Sequence, residues 1–197
     1  VIEPSSIGTD LPPRAVHAAG DQLRTYRFVL MATGEYTQAL GGVSQALGQM
    51  TTAMNRINAI YERDAAVRFE IVQMMAFDNP ATDPYPTNTA GQLAGRNGAV
   101  VDSLFGATSY DMAQAISVTA GYAGQAFRPT LCDTTSKLHS GVTGPDPMAN
   151  QFIAHVMPHE IGHMLGATHT QDRTCNRSLT PYEPSSGLTI MSSLGGA

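Results

Sequence analysis

Three histidines and a glutamate stand together near the end of the chain, in His159-Glu160-Ile161-Gly162-His163-Met164-Leu165-Gly166-Ala167-Thr168-His169. His159 and His163 are four residues apart, so on a helix their imidazoles leave the same face one turn apart. That spacing lets two ring nitrogens reach one zinc ion at about 2.0–2.1 Å. Glu160 follows the first histidine and is angled toward a water on such an ion without ligating it. Gly166 can adopt positive φ, so the chain can leave the helix in a tight bend and bring His169 back as a third ligand. Three histidines leave one coordination position open, which marks a catalytic rather than a structural zinc.

Other residues compete for these roles. Glu183 lies about twenty residues past His163, where thermolysin-like sites take a helical glutamate as third ligand. Pro181 and Pro184 argue against a helix there, and His169 has the glycine it needs, so His169 is the expected ligand. His155 would share the helix face, but a fourth histidine would close the site; it is expected to pack or to support a ligand. His17 and His139 have no partner spacing and read as surface histidines.

Several elements must position this constellation. Residues 26–31 form a short apolar run and read as a buried strand. Val43, Leu47, Met50, Met54, Ile57 and Tyr61 recur at intervals of three or four, the period of a long amphipathic helix. Val67, Phe69 and Ile71 alternate with charged residues as in a second strand. Three prolines make 78–86 a loop, and a second helix spans about 93–106. Two β-like stretches follow at about 110–118 and 122–128. Residues 137–149, with two glycines and two prolines, read as a long loop. The last helix runs from about 150 to 165, with Gly166 as its stop. Pro158 inside it removes one backbone donor and threatens a kink. The order of elements implies a mixed α/β sheet packed by helices.

The pattern H-E-x-x-H-x-x-G-x-x-H at 159–169 is the signature of the metzincin zinc peptidases. Thr189-Ile190-Met191-Ser192 resembles the methionine turn of that family, with Met191 as a floor beneath the metal. The chain resembles the adamalysin (reprolysin) branch, in particular its bacterial secreted members. Tyr110-Asp111-Met112-Ala113-Gln114, Ala123-Gly124-Gln125-Ala126 leading to Cys132, Ser140-Gly141-Val142-Thr143-Gly144 and Tyr182-Glu183-Pro184-Ser185-Ser186-Gly187 carry that resemblance. It departs at Thr170, where adamalysins usually have aspartate, and at Ser193, where astacins carry a metal-reaching tyrosine. The resemblance implies an α/β (α+β) zincin-like fold: a mixed twisted sheet with an edge strand over the cleft, a long active-site helix and a small irregular C-terminal subdomain. One catalytic domain would span 1–197, divided near residue 166 from a C-terminal subdomain at 167–197. The chain ends six residues after Met191, ahead of the helix the family normally has there, and on this reading it is truncated.

By the same resemblance, Ala123, Gly124, Gln125 and Ala126 form the edge strand that pairs with an extended polypeptide substrate. A competing reading has that edge covered by a loop. The implied activity is a secreted zinc endopeptidase with Glu160 as general base. The alternatives are a catalytically silent zinc-binding adhesion module and a zinc hydrolase of a non-peptide amide. Relatives often carry calcium, but no acidic cluster here reads as a calcium loop.

Composition narrows the remaining classes. The chain has 197 residues, 42 % hydrophobic and only 14 % charged, with a net charge of −5 and a single lysine, Lys137. No cationic cluster suits a phosphate backbone, so nucleic acid is excluded as an expected partner. No apolar run reaches the roughly 18 residues of a membrane span. The start at Val1, without a basic leader, reads as a mature or trimmed chain lacking its pro-segment, and a monomer is expected. Cys132 and Cys175 belong to no C-x-x-C pair. Export favours one disulfide between them over two buried thiols.

Overall fold

Arg24–Ala32 forms β1, and every side chain from Phe28 to Ala32 is buried. A strand becomes a continuous apolar run when both of its faces are covered, as in the interior of a parallel sheet. The structure, a computed structural model, describes residues 22–85, 89–127, 138–170, 182–184 and 187–192. Cys132, Cys175, His17 and Ser193 lie outside the described residues.

β1 is followed by the short helix α1 (Gly34–Ala39), which sequence periodicity does not reveal, and by α2 (Val43–Ala65). Thr33 caps α1 by accepting from the Tyr36 N–H. Met50, Met54, Ile57 and Tyr61 give α2 its buried face. β2 (Val67–Ala76), α3 (Ala90–Phe105), β3 (Met112–Val118) and β4 (Ala123–Ala126) come next. β5 (Leu138–Gly144) lies where the sequence reading placed a loop. That segment is poor in β-forming residues because close packing selects small ones. A Cβ on Gly141 would stand 2.5 Å from the Ala90 carbonyl oxygen and 2.6 Å from the Ala94 nitrogen of α3.

The five strands run in the order β2-β1-β3-β5-β4. All neighbours are parallel except β4, which runs antiparallel to β5 with Gly124 opposite Val142 and Ala126 opposite Ser140. The mixed α/β architecture agrees with the fold class expected from sequence.

Strand alternation divides the core between the two faces. Phe28, Leu30, Met112, Ile116 and Val142 pack with α2 and the last helix, whereas Val29, Met31, Ala113 and Ala115 pack with Leu93, Val100 and Val101 of α3. The site therefore lies on the first face, against the β5–β4 end of the sheet.

Candidate metal centre

The helix expected over 150–165 is two pieces: a π-helical turn, Phe152–Val156, and α4, Met157–Met164. Pro158 accounts for the difference. Its ring conflicts with the carbonyl four residues earlier, and the widened turn relieves the conflict while the Met157 N–H bonds to the Phe152 carbonyl. Two side chains brace the junction. Tyr61 donates to the Pro158 carbonyl at 2.7 Å, and Gln114 of β3 donates to the Met157 carbonyl at 3.1 Å.

α4 ends as the glycine predicts. Gly166 has φ 94°, the Ala167 N–H reaches the Gly162 carbonyl and the Gly166 N–H reaches the His163 carbonyl, both at 2.9 Å. This paired closure is a Schellman motif. It also aims the Ala167 carbonyl at Nδ1 of His163, 2.8 Å away. Nδ1 of His159 lies 2.6 Å from the Ile190 carbonyl, and Nε2 of His155 lies 3.1 Å from the Ser192 carbonyl. Carbonyls only accept, so His159 and His163 donate from Nδ1 and present Nε2 as a lone-pair donor.

Those lone pairs converge. Nε2 of His169 is 3.1 Å from Nε2 of His159 and 3.1 Å from Nε2 of His163. A proton on His169 Nε2 could be donated fully to only one of the two nitrogens that face it. A cation satisfies all three nitrogens together, and tetrahedral zinc–nitrogen bonds of 2.0–2.1 Å place the nitrogens about 3.3 Å apart. Burial, reinforced by the neighbouring imidazoles, holds the His159 pKa down to about 4, so its ring is neutral at physiological pH. The three residues form a donor set fit for a metal.

Glu160 is buried in the same face, and burial pushes its carboxyl up to about 7. Its Oε2 has no hydrogen-bond partner among the described residues. Met191 passes beneath α4 at Gly162, where a Cβ would overlap its Sδ. Glu183, the rival ligand, does something else. Its carboxylate accepts from the Leu188 N–H at 2.9 Å, the Thr189 N–H at 3.0 Å, the Thr189 hydroxyl at 2.6 Å and the Thr170 hydroxyl. Thr170 follows His169, and its N–H bonds to the Met191 carbonyl. Glu183 thus ties the methionine turn to the segment carrying His169. Spacing alone could not reveal this, because the partners are five, six and thirteen residues away and follow no helical or strand period.

β4 occupies the sheet edge, and no described strand pairs with its outer side. The Phe127 N–H bonds to the His139 carbonyl, so alternation turns the N–H and C=O of Gly124 and Ala126 outward and those of Ala123 and Gln125 inward. His139 is no simple surface residue: its Nε2 lies 2.8 Å from the Tyr110 hydroxyl, and its ring fills the space over Gly98. A cavity of about 620 Å³ lies between Tyr61, Leu165, Leu188 and Ile190. It touches Gly162 and Met191 but none of the three converging histidines and not Glu160.

Fold and site together define a metallopeptidase of the metzincin type. The chain belongs to the metallo-peptidase family M12B, reprolysin-like, whose profile matches residues 22–197. Seventy-five chains of solved structures are similar. One of them, described as "Structure of a chaperone-substrate complex", superposes with a TM-score of 0.53 at 21 % identity, over 74 % of this chain and 24 % of that one. That likeness is one of fold. No curated protein sequence matches the chain.

Proposed function

We propose that this protein is a secreted zinc endopeptidase in which His159, His163 and His169 hold the metal and Glu160 is the general base. The observation that carries the reading is the convergence of three Nε2 atoms, that of His169 standing 3.1 Å from each of the other two, beside a buried Glu160 carboxylate oxygen with no hydrogen-bond partner among the described residues. A zinc ion in that position supplies Lewis acidity, acidifying water and polarising a peptide carbonyl. Glu160 takes a proton from the attacking water and delivers it to the departing amine nitrogen. The Ile190 and Ala167 carbonyls keep His159 and His163 in the ligating tautomer. An extended polypeptide pairs with β4 through the outward backbone groups of Gly124 and Ala126, and Ala123 and Gln125 hold that strand to β5. The low charge supports export, and export in turn favours one Cys132–Cys175 disulfide.

The test is hydrolysis of casein by the purified protein with and without a chelator, together with Glu160→Gln. Activity that disappears with chelator, returns with zinc and falls by about two to four orders of magnitude in a Glu160→Gln variant that still binds zinc is the expected result. A zinc-loaded protein inert on polypeptides would instead favour a binding module or a non-peptide hydrolase.

A further inference from the structure

Gly124 is the edge-strand residue opposite Val142, on the face of the sheet that meets α4. A Cβ built on it would overlap Oε1 of Glu160 and stand 2.5 Å from both Cδ and Cγ. The carboxylate thus rests directly on the backbone of β4, in space that any side chain at 124 would take. We propose that Gly124 is a positioning residue for the general base: its missing side chain is the seat that holds the Glu160 carboxylate at the reaction centre. The inference rests on the assignment of Glu160 as base and adds a residue that acts through it.

Backbone conformation does not require glycine here. Gly124 is absent from the positive-φ residues and lies in regular antiparallel pairing, which alanine adopts without strain. Nor does the pairing of substrate require it, since alanine keeps the outward N–H and C=O. The added methyl would point at α4, not at the sheet edge where a polypeptide would lie. What a methyl changes is the position of the carboxylate, and a displacement of about 1 Å at a reacting group costs on the order of 10²-fold in rate.

The experiment compares Gly124→Ala with Gly121→Ala, whose Cβ would meet nothing within 4 Å. Gly124→Ala should keep its zinc, lower kcat on an extended peptide by about 10²-fold and leave KM within about twofold; Gly121→Ala should match the wild type. A readout independent of turnover is thermal stability in two backgrounds. Gly124→Ala should lower Tm by about 2–4 °C in the wild type, and should cost nothing in Glu160→Ala, where the seat is vacant. Unchanged kcat in Gly124→Ala, or an equal Tm loss in both backgrounds, overturns the proposal. Full turnover in Glu160→Gln would instead overturn the assignment of the base itself, so the two failures are separable.

Discussion

The hydroxyl of Tyr61 on α2 donates to the carbonyl oxygen of Pro158 on α4 at 2.7 Å, one residue before the first histidine of the converging set. Tyr61 is almost fully buried, which pushes its phenol well up and keeps it a donor. Tyr61→Phe should cost about 1 kcal/mol, a typical net value for one hydrogen bond. Urea unfolding of the two proteins would measure it, and a loss above about 3 kcal/mol would mean that the helix junction itself had rearranged.

Metal removal should be costly because a proton on His169 Nε2 can replace the cation at only one of its two 3.1 Å contacts. A ligand present at a thousandfold over its Kd adds about 4 kcal/mol to a fold that binds it only when native. Chelator should therefore lower Tm and added zinc should restore it. Metal analysis should give about one zinc per chain in the wild type and far less in His169→Ala.

The four hydrogen bonds to Glu183, those from the Thr170 and Thr189 hydroxyls foremost, hold its carboxyl down at about 2. A carboxyl depressed in the native state adds stability that is fully present above its unfolded pKa of about 4.3 and is lost as pH falls through the folded value. Wild type should thus lose more stability between pH 5 and pH 2 than Glu183→Gln. Histidine protonation is common to both proteins and cancels in the comparison. Parallel acid limbs in thermal melts of the two would count against the network.

Two glycines should respond in opposite directions to alanine. Gly48 lies exposed in α2 with nothing within 4 Å of a built Cβ, so Gly48→Ala should stabilise by about 0.5–1 kcal/mol. Gly141 faces the backbone of α3, which cannot yield like a flexible side chain. Gly141→Ala should destabilise by about 1–3 kcal/mol or more, as overpacking does. Differential scanning calorimetry would rank the pair.

We also propose that Cys132 and Cys175 form one disulfide, which in chain-entropy terms contributes about 4 kcal/mol. Mass spectrometry of unreduced peptides should recover the two joined. Two thiols alkylated in the native protein would exclude the bond.

The HExxHxxGxxH spacing by itself determined which side chains could meet, because helical periodicity and a left-handed glycine are local properties that residue types report directly. Gly166 is the clearest case: its φ of 94° and the Schellman closure are encoded within six residues. The strand at β1 and the buried face of α2 were legible for the same reason. Other features depend on what arrives from elsewhere in the chain. β5 contains Gly141 because α3 needs the room, so a central strand reads as loop when its neighbour is unseen. Pro158 signals trouble in a helix, but only packing against Tyr61 and Gln114 decides that a π turn relieves it. Glu183 looked like a possible ligand at the right distance along the chain. Tertiary structure turned it instead toward Thr170, Leu188 and Thr189, because a carboxylate takes whichever donors the fold brings within reach, and sequence separation carries no information about that.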